Sequence, residues 1–149
     1  MMDGALRELY QETIMGHNRS PRHFHAMEDA DGQSLGHNPL CGDKLSVYVR
    51  FDGDAIDEVS FLGDGCAISK ASASMMTDAV QGLSKDDARR MYESFHALVT
   101  RDGEVDKDLL GKLKVFAGVG EFPARVKCAA LPWRTLMAAM EGEDVVKTE

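Results

Sequence analysis

The chain has 149 residues, 44% of them apolar, and carries a formal net charge of −8 from 17 basic and 25 acidic side chains. That length and apolar share suit one domain, residues 1–149, built on a single core. The acidic balance argues against a nucleic-acid partner, whose phosphates attract clustered Lys and Arg, and no uncharged apolar run approaches the roughly 18 residues of a membrane span.

Met1 to Gln11 carries Asp3, Arg7 and Glu8 and lacks the apolar centre of a signal peptide, so a cytoplasmic protein is expected. Leu6, Leu9, Tyr10, Thr13, Ile14 and His17 recur at helical spacing and Asn18 to Pro21 supplies a stop, which predicts an opening amphipathic helix. From His23 to Leu40 no period is visible, so the expectation is mostly loop, with a short strand near Ser34 to Gly36. Leu45, Val47, Val49 and Phe51 then alternate with Ser46, Tyr48 and Arg50, and Asp52-Gly53 turns the chain into a second strand over Ile56 to Leu62.

Small residues and methionines run from Ala67 to Val80 without a breaker, which predicts a tightly packed helix with Cys66 at its N-terminus. Ser84 caps a further helix whose face is Ala88, Met91, Tyr92, Phe95, Leu98 and Val99. After a charged loop from Thr100 to Val105, Asp106 caps a short helix carrying Leu109, Leu110, Leu113 and Phe116, with Gly118 and Gly120 as its stop. A last helix spans about Val126 to Met140, turning Val126, Ala129, Ala130, Trp133, Met137 and Met140 to the core, and the tail Glu143 to Glu149 reads as frayed. The expected class is α/β, in the α+β sense: a small antiparallel sheet of about three strands packed against five or so helices.

Three cysteines carry the chemistry. Cys41 lies in Asn38-Pro39-Leu40-Cys41-Gly42-Asp43, Cys66 in Gly63-Asp64-Gly65-Cys66, and Cys128 in Arg125-Val126-Lys127-Cys128, glycine- or charge-marked settings rather than apolar runs. An odd number of cysteines in a reducing compartment leaves metal ligation, redox and nucleophilic chemistry open. A helix N-terminus would favour the Cys66 thiolate, and Arg125 and Lys127 would favour Cys128. Three thiolates with the Asp43 carboxylate would fill the tetrahedral shell of zinc, leaving a net negative site for those two cations to balance. Without a CxxC pair, separate inert thiols remain the alternative, and Asp43 also reads as a turn residue opening the hairpin. The loop histidines His23, His25 and His37 read as solvated, and His17 and His96 as helix residues.

The three cysteine segments, extended through Ala67-Ile68-Ser69-Lys70-Ala71-Ser72 and Phe122-Pro123-Ala124-Arg125-Val126-Lys127-Cys128-Ala129-Ala130-Leu131-Pro132-Trp133, resemble the U-type iron–sulfur assembly family, and within it the SufU branch. Leu9-Tyr10 and His17-Asn18-Arg19-Ser20-Pro21-Arg22 fit the same pattern. Scaffold members of the IscU type carry His directly before the third cysteine, where this chain has Lys127, and the Thr100 to Gly118 stretch resembles the SufU insertion. The resemblance implies a SufU/IscU-like fold and a zinc ion held by Cys41, Asp43, Cys66 and Cys128. It further implies that Cys41 accepts persulfide sulfur from a SufS-type cysteine desulfurase, that a histidine of that partner takes its place on zinc, and that Arg125 orients the loop or meets the partner. Downstream SUF cluster-assembly proteins would receive the sulfur. The alternatives are a scaffold holding iron or a transient [2Fe–2S] cluster on the same residues, and a structural zinc site.

Overall fold

The computed structural model describes residues 4–40 and 42–147. Cys41, Met1 to Asp3, Thr148 and Glu149, and the side chains of Leu6 and Leu9, lie outside the described residues. Helix α1 (Gly4–Arg19) ends where Asn18 to Pro21 predicts, and it packs on α2 (Ala67–Val80) with Ile14 buried.

Strands β1 (Gly32–Asn38), β2 (Asp43–Asp52) and β3 (Ala55–Asp64) form the expected antiparallel sheet. Alternation along β2 buries Leu45, Val47 and Val49 and leaves Ser46, Tyr48 and Arg50 half-buried, as period two requires of a sheet with one covered face. The first strand is longer than the Ser34 to Gly36 expected. Its core-facing positions are Ser34, Gly36 and Asn38, which carry no apolar signal, and backbone pairing with β2 holds it in place. Gly36 is there for space: a Cβ would collide with Thr135 Oγ1 and meet Leu131 Cδ1 at 3.2 Å.

Two further expectations are corrected. The tail is not frayed throughout, because β4 (Val145–Lys147) pairs parallel with β1, giving the order β3-β2-β1-β4. A three-residue strand that borrows its partner from far upstream leaves no periodic signal. Gly118 and Gly120 do not stop the chain either: after α4 (Lys107–Leu110) a 3₁₀ run continues from Gly111 to Glu121, held by burial of Leu113, Val115, Phe116 and Val119.

Helix α3 (Lys85–Thr100) starts as predicted, with Ser84 Oγ accepting the Asp87 N–H at 3.1 Å. Helix α5 (Pro123–Glu141) begins three residues before the Val126 expected, because Pro123 sits at its first position, where a missing N–H costs nothing. It is buried nearly all round, lying against β1, β2, α2 and α3, so Leu131, Leu136, Ala138 and Ala139 join the core beside the predicted Trp133. Trp133 stacks on Phe95 with ring centroids 5.0 Å apart, and Phe116 meets Phe95 edge-on at 5.5 Å. This core fixes the N-terminal ends of α2 and α5 near the start of β2, which is where the chemistry-bearing residues collect.

Candidate metal centre

Cys66 is the N-cap of α2, as its position before the helical run predicts, and its Sγ accepts the Ser69 N–H at 3.4 Å. Asp43 opens β2, at the point where the turn reading placed it. Yet it is fully buried, and its Oδ1 accepts the Cys66 N–H at 2.7 Å while Oδ2 lies 3.8 Å from Cys66 Sγ. A carboxylate so placed is part of a built site rather than a solvated turn residue. Cys128 is also fully buried. It lies in the second turn of α5 rather than at the helix start, with Sγ 3.6 Å from the Ala124 carbonyl oxygen, which accepts from the thiol.

One donor atom from each of Asp43, Cys66 and Cys128 lies within 4.8 Å of the others. Three potential anions converging here call for a cation, and two soft thiolates with a carboxylate match the donors zinc takes, with bonds of about 2.0–2.3 Å. The residues therefore fit a zinc ion. Hydrogen bonding to Cys128 and then to the Ser69 and Ile68 backbone pulls the Cys66 thiol down to about 6, against its burial and the Asp43 charge. Arg125, exposed at the start of α5, is held above its ordinary range by Cys128 first and by the Cys66 charge next, so its guanidinium faces the same cluster.

The turn joining β1 to β2 leads directly into Asp43. Asn38 is buried, its Oδ1 accepts the Leu40 N–H at 3.2 Å, and its carbonyl accepts the Gly42 N–H at 2.9 Å. Gly42 takes a left-handed conformation with φ of 77°, which a side chain would strain. Leu40 and Phe122, 75% and 58% exposed, stand in that turn and just before α5, large apolar side chains left in solvent near the centre. Lys127 lines a hollow of about 260 Å³ with Asn38, Leu40, Pro123 and Ala124.

Sequence reasoning missed two supports. Gly65 leaves room for Asp43, since a Cβ there would lie 2.7 Å from Asp43 Oδ1; its place one residue before a cysteine N-cap was the available signal. Asn38 opens the first cysteine segment, but nothing in its pattern reveals that its amide braces the turn. The histidines do not join the centre: His23 Nε2 pairs with Asp78 at 3.1 Å, His25 Nε2 with Glu58 at 3.6 Å, and His17 Nδ1 with Ser74 Oγ at 2.7 Å.

A sheet packed by helices, with a carboxylate and two thiols converging where β2, α2 and α5 meet, defines a small domain built around a candidate metal centre. The chain belongs to the NifU-like N-terminal domain family, which it matches over residues 9–129. It is similar to the iron–sulfur cluster assembly scaffold protein IscU of Streptococcus pyogenes serotype M1, at 39% identity over 91% of this chain and 85% of that protein. It is also similar to the zinc-dependent sulfurtransferase SufU of Bacillus subtilis, at 37% identity over 93% of this chain and 94% of that one. Among solved structures, a SUF-system iron–sulfur cluster assembly scaffold protein (FiSufU) from Fervidobacterium islandicum AW-1 superposes with a TM-score of 0.84, at 36% identity over 90% of this chain and 98% of that one. The recognition drawn from the three cysteine segments and the SufU/IscU-like fold therefore hold. Among the described residues no helix is long and apolar enough to cross a membrane.

Proposed function

We propose that this protein is a zinc-dependent sulfurtransferase that takes persulfide sulfur from a SufS-type cysteine desulfurase in the cytoplasm and passes it toward iron–sulfur cluster assembly. The observation that supports this reading is the convergence of Asp43, Cys66 and Cys128 within 4.8 Å, with Cys41 two residues before Asp43 in the sequence. The likeness to a relative named zinc-dependent adds to it, as does Lys127, which lacks the imidazole that scaffold members of the resembling family carry there.

Asp43, Cys66 and Cys128 hold the zinc together with Cys41, and the ion keeps their thiolates deprotonated and in place. Cys41 is the acceptor. Its thiolate attacks the outer sulfur of the donor's Cys–S–SH, the donor S–S bond breaks, and the products are a Cys41 persulfide and the donor's free thiolate, with no net oxidation. The Gly42 turn lets the acceptor leave the centre, while Cys66 and Cys128, set on helices, stay. Asp43, pinned through Oδ1, keeps the centre assembled when Cys41 is engaged elsewhere. The Arg125 guanidinium faces the thiolates and, being exposed, is also available to a carboxylate on the donor.

The test is metal and acid-labile sulfide content on protein isolated without air, followed by turnover of a SufS-type desulfurase with and without it. One zinc per chain, no labile sulfide and a rise in turnover that Cys41→Ala and Asp43→Ala each abolish are the expected results. Iron and sulfide in near-equal amounts, with no effect on turnover, would make the protein a cluster scaffold.

A further inference from the structure

The end of α2 remote from Cys66 borders a second cleft, of about 350 Å³, between the last turn of α1, α2, α3 and the α4 segment. Asp78 on its rim is twelve residues beyond Cys66 in the sequence, roughly 18 Å along the helix at ~1.5 Å per residue. The floor is apolar, with Met75, Met91, Leu110 and Leu113 contributing. The polar groups on the rim are His17, Arg22, Asp78 and Lys112.

The backbone N–H of Arg22 donates to Ser74 Oγ at 2.8 Å, and that oxygen lies 2.7 Å from His17 Nδ1. In the tautomer in which the Ser74 hydroxyl donates to Nδ1, the neutral imidazole carries its own hydrogen on Nε2, facing a ligand as a donor. Burial holds His17 below its ordinary pKa; Asp78 opposes this, and the charges of Arg22 and Lys112, which line the same cleft, add to it. Asp78 is already engaged, 3.5 Å from Arg22 Nε and 3.1 Å from His23 Nε2. Lys112 forms no ion pair among the described residues. In a chain of net charge −8, one cleft thus gathers Arg22, paired with Asp78, the unpaired Lys112 and an imidazole over an apolar floor, an excess of one positive charge. Such a lining selects an anion with an apolar body.

We propose that this cleft binds a small monocarboxylate with an apolar chain, its carboxylate between His17 Nε2, Arg22 and Lys112 and its chain against Met75, Met91 and Leu113. Its volume is at the small end of ligand sites, which run from about 300 to 1,000 Å³, and this favours a free small molecule over a protein segment. The site lies apart from the metal centre and stands independently of the sulfurtransferase reading.

The test is NMR titration of the full-length protein, labelled at methionine methyls and histidine rings, with sodium hexanoate, and with hexan-1-ol, sodium phosphate and an acidic, leucine-containing peptide as comparisons. At ordinary efficiency per atom a ligand of this size binds with Kd on the order of 10 mM. Hexanoate should give saturable shifts at His17, Met75 and Met91, with hexan-1-ol and phosphate each about fivefold weaker or worse. Lys112→Glu should weaken hexanoate about fivefold, with methyl signals outside the cleft unmoved as proof that the fold is intact. Equal binding of hexanoate and hexan-1-ol, shifts that never saturate, undiminished binding by Lys112→Glu, or binding of the peptide alone would each overturn the proposal.

Discussion

Cys66 shows how one position sets the reactivity of a thiol. Its place as N-cap supplies the Ser69 N–H, but the larger influence on its pKa is the neighbouring Cys128 thiol, 62 positions later in the sequence. In protein stripped of metal, thiolate absorbance near 240 nm should therefore rise with a midpoint of about 6, and Cys128→Ala should move that midpoint up toward the ordinary 9.0. Because the folded-state pKa is depressed, the stabilisation it represents is complete above the unfolded value and is lost as pH falls through about 6. Denaturant melts of the metal-free protein should show stability climbing across that window, and a flat profile would contradict the assignment. Gly65 is the second residue with a specific consequence. Gly65→Ala puts a methyl 2.7 Å from Asp43 Oδ1 and must displace the carboxylate or the α2 cap. Zinc affinity measured against a chelator should fall by about 10-fold or more, whereas overall stability should change by only ~1–3 kcal/mol.

Among the elements, β1 and α5 depend on one another most. The core-facing side of β1 is Ser34, Gly36 and Asn38, so it brings little apolar area of its own, and α5 lies directly on it. Thr135 Oγ1, which donates to the Leu131 carbonyl at 2.7 Å, occupies the space above Gly36. Gly36→Ala should separate the two elements and cost ~1–3 kcal/mol in urea denaturation, while Gly16→Ala, whose added methyl meets nothing within 4 Å, should be neutral or stabilising. The short strand was legible only in part for the same reason: its pattern is not apolar alternation, and its helix contacts are invisible to a local window. By contrast α2 and α3 were legible nearly to the residue, because Cys66 and Ser84 sit at cap positions and each run has one continuous helical character.

For the whole molecule, the metal centre joins three separate parts of the fold: the start of β2, the start of α2 and the second turn of α5. A metal held there binds the folded chain and has no preformed counterpart in the unfolded one, so binding adds directly to stability. Chelation should lower the thermal midpoint and the unfolding free energy, by about 4 kcal/mol where free zinc stands at ~1,000 times Kd. Calorimetry with and without chelator, at fixed pH, checks this; an unchanged midpoint would mean that no folded-state metal is held.

What the order of residues alone establishes is local and chemical: the alternation of β2, the caps of α2 and α3, and three marked thiols with a carboxylate beside the first. Each follows from backbone periodicity, capping or side-chain chemistry within a few positions. That Asp43 is buried, that Cys66 and Cys128 come together beside it, that β4 returns to β1, and that His17, Arg22 and Lys112 line one cleft are consequences of packing. They come from residues far apart in the chain, brought together by burial around Trp133, Phe95 and Phe116, and no local pattern encodes a long-range contact of that kind.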